Sequence, residues 1–137
     1  MLAPVAWLAS LWLLRHRPGR LLGTLSLPLA YAATTWIWKP LWARQRPPTA
    51  MAESFAYPSG HTTLAFALAA GLVLVHRRGW IIAVTMGVGT GVLRMMAGEH
   101  WLTDVLGALL WTAAYVLAVD GLTADDAASR SPRPNPP

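Results

Sequence analysis

The sequence predicts an all-α protein, an integral-membrane helical bundle of about five helices. Three observations lead there. Of the 137 residues, 55% are hydrophobic and only 12% charged, and the mean hydropathy is +0.41, a balance unlike that of an ordinary soluble domain. The apolar residues fall in five runs free of formal charge: Leu2 to Leu14, Leu21 to Trp38, Thr62 to Val75, Trp80 to Leu93 and Val105 to Val119. The cations cluster between those runs, with no long basic face or aromatic-interleaved patch, so the net charge of +5 points to membrane topology and not to nucleic acid.

A bilayer core of about 30 Å takes about 20 helical residues. The first run is short. The second holds Pro28, which a membrane helix tolerates. The third opens on "PSGH", a helix start with Ser59 as N-cap. The fourth extends to about Gly98, and the fifth begins near Trp101. His61, Arg94, His100 and Asp104 then lie at helix ends near a membrane face, where an ion costs least. Residues 1–120 form the membrane domain, and the proline-rich, polar residues 121–137 form a disordered tail.

The basic loops "RHRPGR" (15–20) and "HRRG" (76–79) belong in the cytoplasm by the positive-inside rule. Parity then brings "KPLWARQRP" (39–47), "YPSGHTT" (57–63) and "RMMAGEHWLTD" (94–104) to one extracytoplasmic face, with the C-terminal tail cytoplasmic. The expected location is the plasma membrane, multi-pass.

Each of those stretches has a plain structural explanation taken alone. Lys39, Arg44 and Arg46 can snorkel from a helix end. Ser59 can be a cap and no more, and His100 and Asp104, four residues apart, can satisfy each other. Together they suggest chemistry. Arginine offers a planar fork and lysine a point charge to phosphate oxygens. Gly60 lets backbone approach a ligand, and a helix start suits an anion. A carboxylate that accepts from one imidazole nitrogen leaves the other free to act as nucleophile or base. A basic cradle beside such a histidine is what phosphoryl transfer through a phosphohistidine requires. No cysteine is present, which excludes thiolate metal sites and a cysteine nucleophile. Glu53 and Glu99 have no metal-ligand spacing with the histidines, and Glu99 is expected at the exposed rim without a role.

Lys39 with Arg46–Pro47, then Pro58–Ser59–Gly60–His61, then Arg94, His100 and Asp104 together resemble the type 2 phosphatidic acid phosphatase superfamily. Its signature is K-x6-R-P, P-S-G-H and S-R-x5-H-x3-D, and the resemblance spans about Leu21 to Val119. Leu93 stands where the signature has serine, and membrane members commonly have six helices where five runs occur here. The resemblance implies a lipid phosphatase that needs no metal or other cofactor. It makes His100 the nucleophile, Asp104 its orienting partner and His61 the acid on the leaving oxygen. Lys39, Arg46, Ser59, Gly60 and Arg94 would hold the phosphate. The expected partners are the bilayer and a lipid phosphate or isoprenyl diphosphate. The competing expectation is a non-catalytic membrane protein that binds phosphorylated lipid or supports a partner through its helices.

Overall fold

A computed structural model describes residues 2–129, with side chains through Thr123. The regular elements among the described residues are all helices, without strands. Helix α1 (Leu2–Leu14) leads through a turn into α2 (Pro18–Ser26), α3 (Pro28–Ala33), a π-helical turn (Thr34–Trp38) and α4 (Lys39–Trp42). Leu27 keeps right-handed helical dihedrals, as do the residues bounding the π turn, so α2 to α4 run on as one rod. A loop of residues 43–59 follows, then α5 (Gly60–Val75), α6 (Gly79–Met96) and α7 (Leu102–Ser129).

Helix α5 is the axis of the bundle and touches α1, α2, α3, α6 and α7. Its apolar residues are spread around its whole circumference, as suits a helix surrounded by others. The core is made largely of small side chains: Ala30, Ala67, Ala69, Ala70 and Ala83 with Leu27, Phe66, Val73 and Val116. Glycines bring the helices close. A Cβ on Gly71 would come within 2.2 Å of Ser10 Oγ, and one on Gly91 within 2.3 Å of Val105 Cγ1. Small residues at such contacts are the usual device of helices packed in lipid.

The outside is apolar as well, with Trp36 79% and Leu110 73% exposed. Two stretches, Gly79–Met96 and Leu102–Thr123, are long and apolar enough to cross a membrane, and only 22% and 33% of each is buried in the protein. The core helix of a soluble domain is instead mostly buried, so these exposed apolar faces are suited to lipid. Helices α1 and α5 are apolar but shorter.

The runs expected from sequence match the helices, with differences at three ends. Helix α6 stops at Met96, just short of the expected Gly98, because Gly98 turns the chain at φ 69°, where glycine carries no Cβ penalty. His100 precedes α7 instead of lying on it. Helix α7 continues to Ser129, past the boundary expected at residue 120, since "GLTADDAAS" offers alanines and no proline to stop it. The remainder of the expected tail, residues 130–137, lies outside the described residues.

Alternating helix directions bring the ends of α4 and α6 and the starts of α5 and α7 to one end of the bundle. The basic loops occupy the other, where Arg20 donates to the carbonyl of Leu74, in the last turn of α5.

Candidate active site

His100 and Asp104 form the buried centre of the first end, 4% and 0% exposed. His100 Nδ1 lies 3.3 Å from Asp104 Oδ2, the same oxygen that accepts the Trp101 backbone N–H at 2.8 Å. Asp104 is thus the third residue of α7 closing back on the residue before the helix, the acidic half of a capping box. Its other oxygen accepts from Arg44 Nη1 at 3.0 Å. A carboxylate held by a backbone amide and a guanidinium is fixed in place, and its oxygen beside Nδ1 suits the His100 tautomer that carries its proton there. The free Nε2 then faces a cavity.

That cavity, about 130 Å³, is lined by Lys39, Arg46, Gly60, His61 and His100, with Tyr31, Thr35 and Ser54 completing the wall. Lys39 is only 8% exposed and donates to the carbonyl of Phe55, so it is a buried cation and does not snorkel. Burial first, and the Arg46 charge next, lower this ammonium to about 8, with Asp104 opposing. Arg46 is held by the Ser54 carbonyl (Nε, 2.6 Å) and hydroxyl (Nη2, 3.0 Å), and its Nη1 reaches to 3.4 Å from His100 Nε2. Burial lowers the Arg46 guanidinium, and Glu99 works against that shift. His61, in the first turn of α5, is exposed at the cavity wall.

Not every expected phosphate ligand lines the cavity. Gly60 does, and a Cβ there would stand 3.2 Å from the Tyr31 ring, so a larger residue would crowd the wall. Ser59 is fully buried behind it. Its hydroxyl makes no capping bond and instead accepts from Thr62 Oγ1 at 3.1 Å, while its N–H donates to the Asp104 carbonyl at 3.0 Å. Ser59 therefore ties α5 to α7, and the N-cap expected from "PSGH" is not formed by its side chain. Arg94 stands beside the cavity, and its Nη2 is 3.5 Å from Glu99 Oε2. Leu93, at the signature's serine position, is 66% exposed and does not line the cavity.

Two residues were missed in sequence. Arg44 backs Asp104 instead of facing a ligand. Glu99, expected at the exposed rim, is 13% exposed at its side chain and joins Arg46 (3.1 Å) to Arg94. A lone carboxylate next to His100 and five residues after Arg94 was the available signal. Buried Thr35 Oγ1 and Arg94 Nε have no hydrogen-bond partner. Such orphans are uncommon in native proteins, and Thr35 lines the cavity, where an oxyanion could satisfy it. Among the described residues, no three His, Cys, Asp or Glu side chains converge as metal ligands.

A second, apolar cavity of about 280 Å³ shares His61 as a wall with the first. It runs between Leu2 and Ala3 of α1, Leu64, Ala65 and Leu68 of α5, and Met86 of α6.

The family model of the PAP2 superfamily matches residues 20–120, which include every residue of this cluster. The chain belongs to the PAP2 superfamily. Among curated PAP2-related sequences, phosphatidylglycerophosphatase B of Escherichia coli (strain K12) is 42% identical over 67 residues, covering 45% of this chain and 26% of that protein. Undecaprenyl-diphosphatase BcrC of Bacillus subtilis (strain 168) is 37% identical over 60 residues, covering 43% of this chain and 31% of its own. The aligned part thus spans about a quarter to a third of these relatives. No solved structure matches the chain.

Proposed function

We propose that this PAP2 protein is a multi-pass membrane phosphatase that hydrolyses a lipid phosphate or isoprenyl diphosphate through a phosphohistidine, without a metal. The observation that carries this is the buried His100–Asp104 pair, with Nε2 open to a cavity walled by Lys39, Arg46 and His61. His100 Nε2 attacks phosphorus in line as the bond to the lipid oxygen breaks, and His61 gives that oxygen a proton. His61, now neutral, takes a proton from water, which attacks the phosphohistidine and frees inorganic phosphate and His100. Lys39, Arg46 and Arg94, with the Gly60 backbone, stabilise charge on the equatorial oxygens. Ser59 supports this set from behind.

The apolar cavity supports a lipid substrate. With His61 as the wall shared by the two cavities, a hydrocarbon chain would lie between α1, α5 and α6 while the phosphate occupies the polar cavity. The similarity to phosphatidylglycerophosphatase B and undecaprenyl-diphosphatase BcrC favours phosphatidylglycerol phosphate and undecaprenyl diphosphate within that class. Sidedness follows from charge: the unpaired loop cations cluster at the Arg20–Leu74 end, which the positive-inside rule assigns to the cytoplasm. The cations at the other end are buried or paired with Glu99 and Asp104, consistent with an extracytoplasmic site in the plasma membrane.

Phosphate release by detergent-solubilised protein with EDTA present, across both lipids and phosphatidic acid, tests the proposal. One lipid should be hydrolysed, and His100→Ala should abolish turnover while the protein stays folded. Equal turnover by the variant sinks the nucleophile assignment, and loss of activity with EDTA sinks the metal-free mechanism.

A further inference from the structure

The Glu99 carboxylate already pairs with Arg46 and Arg94, two of the cations assigned above to the phosphate. Helix α6 ends at Met96 and the chain turns at Gly98, whose carbonyl accepts from Thr49 Oγ1 at 3.0 Å. The turn swings Glu99 back, its N–H bonding the Arg94 carbonyl at 3.0 Å, so that one carboxylate oxygen meets both guanidiniums. Arg46 Nη1 is shared further: it approaches the Glu99 carbonyl at 2.8 Å, Glu99 Oε2 at 3.1 Å and His100 Nε2 at 3.4 Å. The donor that would clamp an equatorial phosphate oxygen therefore already faces an internal anion and the nucleophile's lone pair. Arg94 Nε, meanwhile, is buried without a partner.

We propose that Glu99 is an internal competitor for the phosphate site: substrate phosphate displaces its carboxylate from Arg46 and Arg94, and the carboxylate returns to help expel inorganic phosphate. This rests on the phosphatase reading of the site for its place in turnover, but the competition itself concerns only anion binding. A phosphate dianion offers more charge and more acceptor oxygens to two guanidiniums than one carboxylate, so displacement is favourable. The return of a tethered carboxylate is intramolecular and opposes product retention.

The test uses the full chain in detergent, wild type and Glu99→Gln, titrated with inorganic phosphate and assayed in parallel for lipid phosphate release. The glutamine variant should bind phosphate about tenfold more tightly, with a lower KM and a kcat that does not rise. Glu99→Asp, which withdraws the charge by one methylene, should fall between. Unchanged or weaker phosphate binding in Glu99→Gln overturns the proposal, as does the absence of phosphate binding in all forms. If both variants fail to fold, the carboxylate is a fixed structural pin and the proposal is overturned too. Tighter binding in the variant, with no lipid hydrolysed by wild type, would uphold the competition and reject the phosphatase reading.

Discussion

Replacing Asp104 by asparagine keeps the shape of the site and changes only what its oxygens accept. Asp104 is fully buried and receives three donors: Trp101 N–H and His100 Nδ1 on one oxygen, Arg44 on the other. An asparagine has one acceptor oxygen and an NH2 group. With the oxygen toward Trp101, the NH2 confronts Arg44, which is 39% exposed at its side chain and can turn to water. With the amide flipped, the NH2 confronts both Trp101 and His100, and the imidazole must move its proton to Nε2, losing the attacking lone pair. Even the better arrangement removes the carboxylate that, in the proposed mechanism, stabilises the imidazole as it forms a phosphohistidine. A neutral partner behind a catalytic histidine costs on the order of a thousandfold or more in kcat, equivalent to about 4 kcal/mol on the barrier. The folding cost should be smaller, about 1–3 kcal/mol, because one buried donor contact is lost or reversed. The assay is steady-state phosphate release, with thermal unfolding in the same detergent as control. A folded Asp104→Asn protein that keeps kcat within about threefold of wild type would refute the orienting role.

Two further outcomes are expected. With Lys39 lowered to about 8, the site keeps this cation below that pH and loses it as pH rises through it. Lys39→Met should therefore weaken inorganic phosphate binding by about tenfold or more at pH 6–7, and the ratio to wild type should shrink toward one above pH 8; a ratio constant across that range rejects the assignment. Ala65→Trp should fill part of the apolar cavity and raise KM about tenfold for a long-chain lipid phosphate, leaving a short-chain analogue untouched, and equal effects on both would place the hydrocarbon chain elsewhere.

Most of the helices were legible because apolar runs set their extent, and the gathering of Lys39–Arg46, Pro58–His61 and Arg94–Asp104 at one end of the bundle was legible from the parity of those runs. What lay hidden depends on the path of the loop between α4 and α5. That loop brings Arg44 behind Asp104 and the Ser54 carbonyl and hydroxyl onto Arg46, pairings between residues far apart or in irregular backbone that no periodicity encodes. The burial of Glu99 follows from the turn at Gly98, which aims inward a residue that an unbroken helix would have placed by its 100° step. The spacing of His100 and Asp104 gave the right pair for an incomplete reason: the two meet at 3.3 Å across a helix start, with Asp104 closing the cap, and not along one helical face.

The distribution of residue sizes across the bundle also decides which changes it can absorb. Many bulky side chains face outward, and alanines and glycines make much of the interior contact around a few large residues such as Phe66 and Leu27, so cohesion depends on how near one backbone can come to another. Exchanging one exterior leucine for isoleucine or phenylalanine leaves those distances alone. Adding a single methyl at Gly71 or Gly91, where another atom already stands at 2.2 or 2.3 Å, pushes two helices apart. Helix α5, which holds Gly71, also carries Gly60 and His61, and α6, which holds Gly91, carries Arg94 one turn further on. The smallest residues, outside the cavity lining, thus act as spacers between the helices that carry its residues.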